Sequence, residues 1–210
     1  GRATVMDLFR EQYSKLFPGK PVPHISPVGR LDAASEGILL FTNDTAWAND
    51  LTEPQKKNGD SGTEAGMTNK DVILRPSTML RQAQHTSSGT LPNRVGEPAE
   101  PSYTHLKIYR VQVAGKPSDA ELQQMEKGFN VPPRVFGEPE EFMHAERATL
   151  HSSGEKNCWL EITLDEGKNR EIRRMLAKLG YEVLRLVRIK FCNYELGDLK
   201  QGEIREIKPR

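Results

Sequence analysis

The chain has 210 residues, enough for one large domain or two small ones with a real core. Only 36% of it is hydrophobic and 7% aromatic, below the roughly 45–50% apolar usage of ordinary globular chains, so part of it is expected to stay unpacked. With 30 Lys and Arg against 29 Asp and Glu the net charge is +1, which excludes a uniformly basic nucleic-acid-binding chain and confines any basic surface to one locality. Cys158 and Cys192 are too few for a disulfide framework or a cysteine-rich zinc site, and they suit a reducing compartment. No apolar run approaches the ~18 residues that cross a bilayer, and Gly1-Arg2-Ala3-Thr4-Val5 has no signal-peptide core. A soluble, intracellular protein is expected. Because the sequence does not begin with Met, an upstream segment is expected too.

In chain order, Gly37-Ile38-Leu39-Leu40-Phe41-Thr42 reads as one short buried strand. From Thr52 to Ser102 the chain is crowded with Gly, Pro, Ser, Thr, Asn and Gln, and no aromatic residue falls between Trp47 and Tyr103. Such a stretch has too little to bury to offset its ordering entropy, so it reads as a long surface insertion, with Val72-Ile73-Leu74 and Met79-Leu80 as its anchoring points. Leu106 to Val113 alternates as a strand, with Tyr109, Val111 and Val113 on one face. Ser118-Asp119-Ala120-Glu121 is a capping box, and the helix it starts is expected to end near Gly128. Trp159 to Leu164 alternates again, and Asp165-Glu166-Gly167 turns into a helix. Its stripe is Ile172, Met175, Leu176 and Leu179, and Gly180 closes it. Val183 to Phe191 is a further strand. Many strands with scattered helices, lacking steady strand–helix alternation, predict an α+β fold around a mixed or mostly antiparallel sheet with flanking helices.

Charge is concentrated late. Lys168 to Lys190 holds eight basic residues against two acidic ones. Arg170 and Arg174 on a helix, beside a strand carrying Arg185 and Arg188, could form a surface for a phosphate backbone; a merely solvated helix face is the equal alternative. Arg173 lies about 100° round the helix from Ile172, on the shoulder of the apolar stripe, where a partly buried arginine with a carboxylate partner fits. A second cluster is the Gly-bounded loop with Arg30, Asp32, Ser35 and Glu36, leading directly into an apolar strand. Taken alone, Asp32 would more often be a turn or cap residue than a catalyst.

Together these motifs resemble RNA pseudouridine synthases. Gly29-Arg30-Leu31-Asp32, followed by Ser35-x-Gly37-Ile38-Leu39-Leu40 and Thr42-Asn43-Asp44, is similar to that family's catalytic motif. Lys107-x-Tyr109-x-Val111 matches a second motif. The segments Glu166 to Met175 and Leu179 to Arg188 resemble the C-terminal motif of the RsuA-like branch, which modifies ribosomal RNA. The resemblance covers about three-quarters of the chain, in order, and leaves out the stretch at about 52–102.

It implies the pseudouridine synthase catalytic fold over 1–210 as a single domain, with the insertion at about 52–102. The family's N-terminal strand and its small RNA-binding domain are expected to precede this sequence. It implies an isomerase that takes a uridine out of the RNA stack and needs neither cofactor nor metal. Asp32 would be the catalytic residue, Arg173 its ion-pair partner and Tyr109 the ring stacked on the base. Leu186 would pack beneath the base, while Arg30, Arg170, Arg174, Arg185 and Arg188 would contact RNA. The partner would be ribosomal RNA or a pre-ribosomal particle, with further protein or RNA contacts through the insertion. The compartment would be a bacterial-type cytoplasm or, from the insertion, a eukaryotic organelle such as the mitochondrion. The alternative is a ribosome-assembly or RNA-binding factor that uses the same fold mainly for docking.

Two departures from the family pattern stand out. Ser35-Glu36-Gly37 occupies the place of Thr-Ser-Gly, and Glu171 that of a common Gln, each expected to add negative charge near a polyanion. Nothing else competes. There is no Gly-x-Gly-x-x-Gly and no phosphate loop, and the five histidines lack metal spacing in the sequence and read as structural or solvent-facing. Cys158 and Cys192 read as core residues.

Overall fold

The computed structural model describes residues 4–52 and 105–207 except 136. The expected insertion at about 52–102 therefore lies outside the described residues, apart from Thr52. The first part of the chain gives α1 (Val5–Leu16), β1 (Ser26–Val28), β2 (Glu36–Gly37), β3 (Leu40–Thr42) and α2 (Thr45–Thr52). The second gives β4 (Lys107–Ala114), α3 (Asp119–Lys127), β5 (Phe129–Val131), β6 (Glu141–Met143), β7 (Arg147–Ser153), β8 (Asn157–Leu164), α4 (Glu171–Lys178), β9 (Val183–Phe191) and β10 (Tyr194–Glu195). The central sheet runs β10-β9-β4-β8-β7 with antiparallel neighbours, and β2 adds to β9 in parallel. The α+β expectation with a mostly antiparallel mixed sheet holds.

The local chemistry explains most elements. In β8 every second residue, Cys158, Leu160, Ile162 and Leu164, is buried, the period of a strand with one face on a core. Facing it across the ladder, β4 buries Val111 and Val113. Ser118 Oγ accepts from the Glu121 N–H while the Glu121 carboxylate accepts from the Ser118 N–H, so the predicted capping box starts α3 and Gly128 ends it at φ 77°. In α4, Ile172, Met175 and Leu176 are buried. It ends in a Schellman turn: the Tyr181 N–H donates to the Leu176 carbonyl at 2.8 Å and the Gly180 N–H to Ala177 at 3.0 Å, with Gly180 at φ 88°. Both helices share one core cluster with the inner face of β4 and β8. Cys158 and Cys192 are both buried and unbridged, as expected.

The run 37–42 is not one strand. β2 lies along β9, and the chain then leaves that sheet to pair β3 with β1. Gly37, at φ 117°, makes the switch. A Cβ there would sit 2.2 Å from the Arg188 carbonyl oxygen, so only glycine allows the two backbones to meet. The Ile38 N–H then donates to that same carbonyl at 3.0 Å, which pins the end of the Asp32 loop to β9. Behind the loop, Phe9 and Tyr13 of α1 pack with Phe41, and the Phe9 and Phe41 rings stack 5.5 Å apart.

Candidate active-site cleft

A cavity of about 570 Å³ opens over the sheet. Gly29 to Ala33 form one wall; the turn before α4 and its first residues, Gly167 to Ile172, form the other; Lys107, Tyr109, Leu186 and Arg188 line it from β4 and β9. Six of the nine expected site residues line this cavity: Arg30, Asp32, Tyr109, Arg170, Leu186 and Arg188. Asp32 is partly exposed, and its carbonyl accepts from the Ser35 N–H at 2.8 Å, a tight turn that presents the carboxylate on a short loop between pinned ends. Tyr109, from the centre of the sheet, is half-buried, and burial pushes its hydroxyl pKa upward against the pull of the neighbouring Arg188. Leu186 is buried in the main core and gives the cleft an apolar floor.

The arginines divide sharply. Arg30 and Arg170 are exposed at the cleft and enter no ion pair among the described residues. Arg170 holds the N-cap position of α4 in a left-handed conformation, φ 50° and ψ 34°. The other four expected arginines are engaged within the protein. Arg188 is 2% exposed: its Nε and Nη2 donate to the Ile38 carbonyl at 3.0 and 2.8 Å, its Nη1 to Arg30 at 3.4 Å, and its guanidinium lies over Phe191. It clamps the Asp32 loop, and it has little left for a phosphate. Arg185 differs from Arg188 by three strand positions and so points to the opposite face, where it grips Glu36 at 3.1 and 2.8 Å. That pair neutralises the Glu36 charge suspected of repelling RNA, and the Arg185 hydrogen bond lowers the Glu36 pKa.

Arg174, with 13% of its side chain exposed, donates to Glu141 at 2.6 Å and to the Pro132 carbonyl at 3.0 Å, tying α4 to the loop between β5 and β6. Arg173 forms no ion pair with Asp32. Its Nη2 donates to the Ala34 carbonyl at 2.6 Å and its Nη1 to Val183 at 3.2 Å, so it braces the Asp32 loop through the backbone. Burial and Arg170 lower the Arg173 pKa, and the Asp32 carboxylate acts in the opposite sense.

Two further residues of the cleft stand in the sequence motifs without an expected role in the site, Lys107 and Glu171. Lys107 is two positions from Tyr109 on the same strand face; its Nζ donates to the Glu166 carbonyl at 3.3 Å, and burial lowers its pKa. The two-residue period could have found it. Glu171 is 3% exposed, and burial together with Glu166 pushes its pKa up to about 8. Both influences favour the neutral form of a residue expected to add negative charge here. The histidines do not all stand apart: His144 Nε2 is 3.7 Å from Glu146 and 3.8 Å from Asp165, a grouping that linear spacing conceals. No described helix is long and apolar enough to cross a membrane.

Comparison with known proteins places this architecture. The model of the family described as RNA pseudouridylate synthase matches residues 4–60, which include the Asp32 loop. A crystal structure of a pseudouridylate synthase superposes with a TM-score of 0.54 at 21% identity, covering 88% of this chain and 56% of that one, and so shares its fold. The chain is thus similar to RNA pseudouridine synthases in sequence and shares their fold. The chain is 27% identical to ribosomal large subunit pseudouridine synthase E of Vibrio vulnificus, over 89% of this chain and 63% of the relative. It is 26% identical to ribosomal large subunit pseudouridine synthase B of Bacillus subtilis, over the whole chain and 61% of the relative. An uncharacterized RNA pseudouridine synthase of Rickettsia conorii is 28% identical, over 89% of this chain and 57% of the relative. The chain thus spans about three-fifths of the length of these curated relatives.

Proposed function

We propose that the protein isomerises uridine to pseudouridine in ribosomal RNA, with Asp32 as the catalytic carboxylate. One observation carries this reading: the Asp32 loop and Tyr109, far apart in sequence, meet in a single cleft whose floor is apolar at Leu186 and whose rim carries Arg30 and Arg170, exposed and in no ion pair among the described residues. Each part has a task. The rim cations engage phosphates on either side of the target, and the cavity receives a uridine turned out of the stack. Tyr109 and Leu186 hold the base between a ring and an aliphatic surface. The bond from ribose C1′ to N1 breaks, the base turns, C1′ bonds to C5, C5 releases its proton, and N1 gains one. Asp32 assists at the sugar, as nucleophile or as base. Arg173 and Arg188 keep the loop that carries it in place. Ribosomal RNA as substrate rests on the names of the relatives, and a precursor particle is the natural form in which to present it.

The test is tritium release from carbon-5-tritiated uridine in unmodified ribosomal RNA and in precursor particles. Release that stops in Asp32→Asn supports the reading. A folded, RNA-binding protein that releases none from either substrate makes docking, not modification, its role.

A further inference from the structure

We propose that Glu171 works as a neutral acid: a positioning residue that locks the 167–170 turn of the cleft wall and withholds a second negative charge from the RNA. This rests on the RNA-modifying reading above and adds to it a residue and a pH limit. Glu171 opens α4 and lines the cleft, yet it is 3% exposed. Its Oε2 accepts from the Lys168 N–H at 3.1 Å while its own N–H donates to the Lys168 carbonyl at 3.3 Å, a reciprocal clasp across the turn that presents Lys168, Asn169 and Arg170. Its Oε1 is buried and accepts no hydrogen bond. A carboxylate in that place would leave one oxygen without a donor, at the cost of a buried unpaired charge. The protonated carboxyl carries no such charge, and Glu166 nearby pushes in the same direction.

The groups around it leave no cation to hold the charged form strongly. On the turn, Lys168 Nζ is engaged by the Glu166 carboxylate and the Phe142 carbonyl. On β4, Tyr109 is neutral, and Lys107 donates to the Glu166 backbone. On β9, Arg188 is occupied by the Ile38 and Arg30 carbonyls. From β6 and the residue after it, Glu141 is paired with Arg174, and His144 approaches Glu166 to 3.8 Å. Asp165 on the turn and Asp32 across the cleft are both acidic. Burial and Glu166 accordingly raise the Glu171 pKa from 4.5 to about 8, while Lys168 acts weakly the other way. The folded chain then holds a proton that the unfolded chain has released, so this group's contribution makes stability fall as pH rises from about 4.5 to about 8. Above that window the wall gains a charge facing the polyanion.

The experiment measures the affinity of the whole chain and of Glu171→Gln for an unmodified uridine-containing ribosomal RNA fragment from pH 6.5 to 9.5, at constant salt. Wild-type Kd should rise about fivefold between pH 7.5 and 9. Glu171→Gln, which keeps the clasp without titrating, should bind within about twofold at pH 7.5 and lose most of that rise. Identical pH profiles for the two proteins, or a folded Glu171→Gln that no longer binds at pH 7.5, would overturn the proposal. Carboxyl carbon-13 titration of the unsubstituted protein decides independently of any variant: a Glu171 midpoint near 8 supports it, and one below 6 refutes it. Neither readout needs turnover, so a failure here is distinct from a failure of the proposed isomerase activity.

Discussion

The cleft rim and the far sides of β9 and α4 carry the same residue type in opposite roles. At the rim, Arg30 and Arg170 are exposed and unpaired among the described residues. On the far face of β9 and the outer side of α4, Arg185 and Arg174 are committed to Glu36 and Glu141. Between these regions Arg188 is sealed in, bonded to backbone carbonyls. The difference lies in strand parity and helix phase: residues three apart on a strand face opposite ways, and each cation meets whatever its side supplies. A count of positive charges along this segment therefore overstates the surface open to RNA.

Substitutions can break that division. The largest effect on the fold is expected at the point that fixes the loop: Gly37→Ala places a Cβ against the Arg188 carbonyl at positive φ, and should cost about 3 kcal/mol or more, read by urea denaturation. A loss under about 1 kcal/mol would show that β2 and β9 can part without harm. Next in size, Arg30→Ala with Arg170→Ala should weaken RNA binding by roughly tenfold and reduce the salt slope by about two, with the melting temperature unchanged. An unaltered slope would remove the rim from the RNA path. The smallest effects belong to the back: Arg185→Ala should leave the RNA salt slope unchanged and cost at most about 1 kcal/mol, as solvent screens the half-exposed pair. If Arg185→Ala weakened RNA binding as much as the rim variant, the contrast between the two faces would collapse.

Much of the fold was legible because local signals and tertiary structure agree. The capping box at Ser118, the apolar stripe ending at Gly180, and the alternation in β4, β8 and β9 each state their own element. β7 escaped because only Ala148 of its first residues is buried and its second half is exposed, so no period survives. α1 escaped although Thr4 and Asp7 form a capping box, since Asp in the place of Glu is a weaker signal. The split between β2 and β3 hinges on one glycine meeting a backbone 151 positions away. In the site, Asp32, Tyr109 and Leu186 were legible as motif residues. The arginine roles were not, because they depend on partners far off in sequence, such as Glu36 for Arg185 and Ala34 for Arg173. Glu171 was legible as a departure, while the upward push on its pKa follows only from burial beside Glu166.

The central claim is that Asp32 performs chemistry in a cleft whose RNA grip comes from other residues. The most direct test determines, for Asp32→Asn and the unsubstituted chain side by side, both RNA affinity and pseudouridine formation on the same ribosomal RNA fragment. The account predicts pseudouridine formation abolished, with Kd within about threefold of the unsubstituted protein. Pseudouridine still formed by Asp32→Asn, or turnover lost only in step with RNA binding, would contradict it.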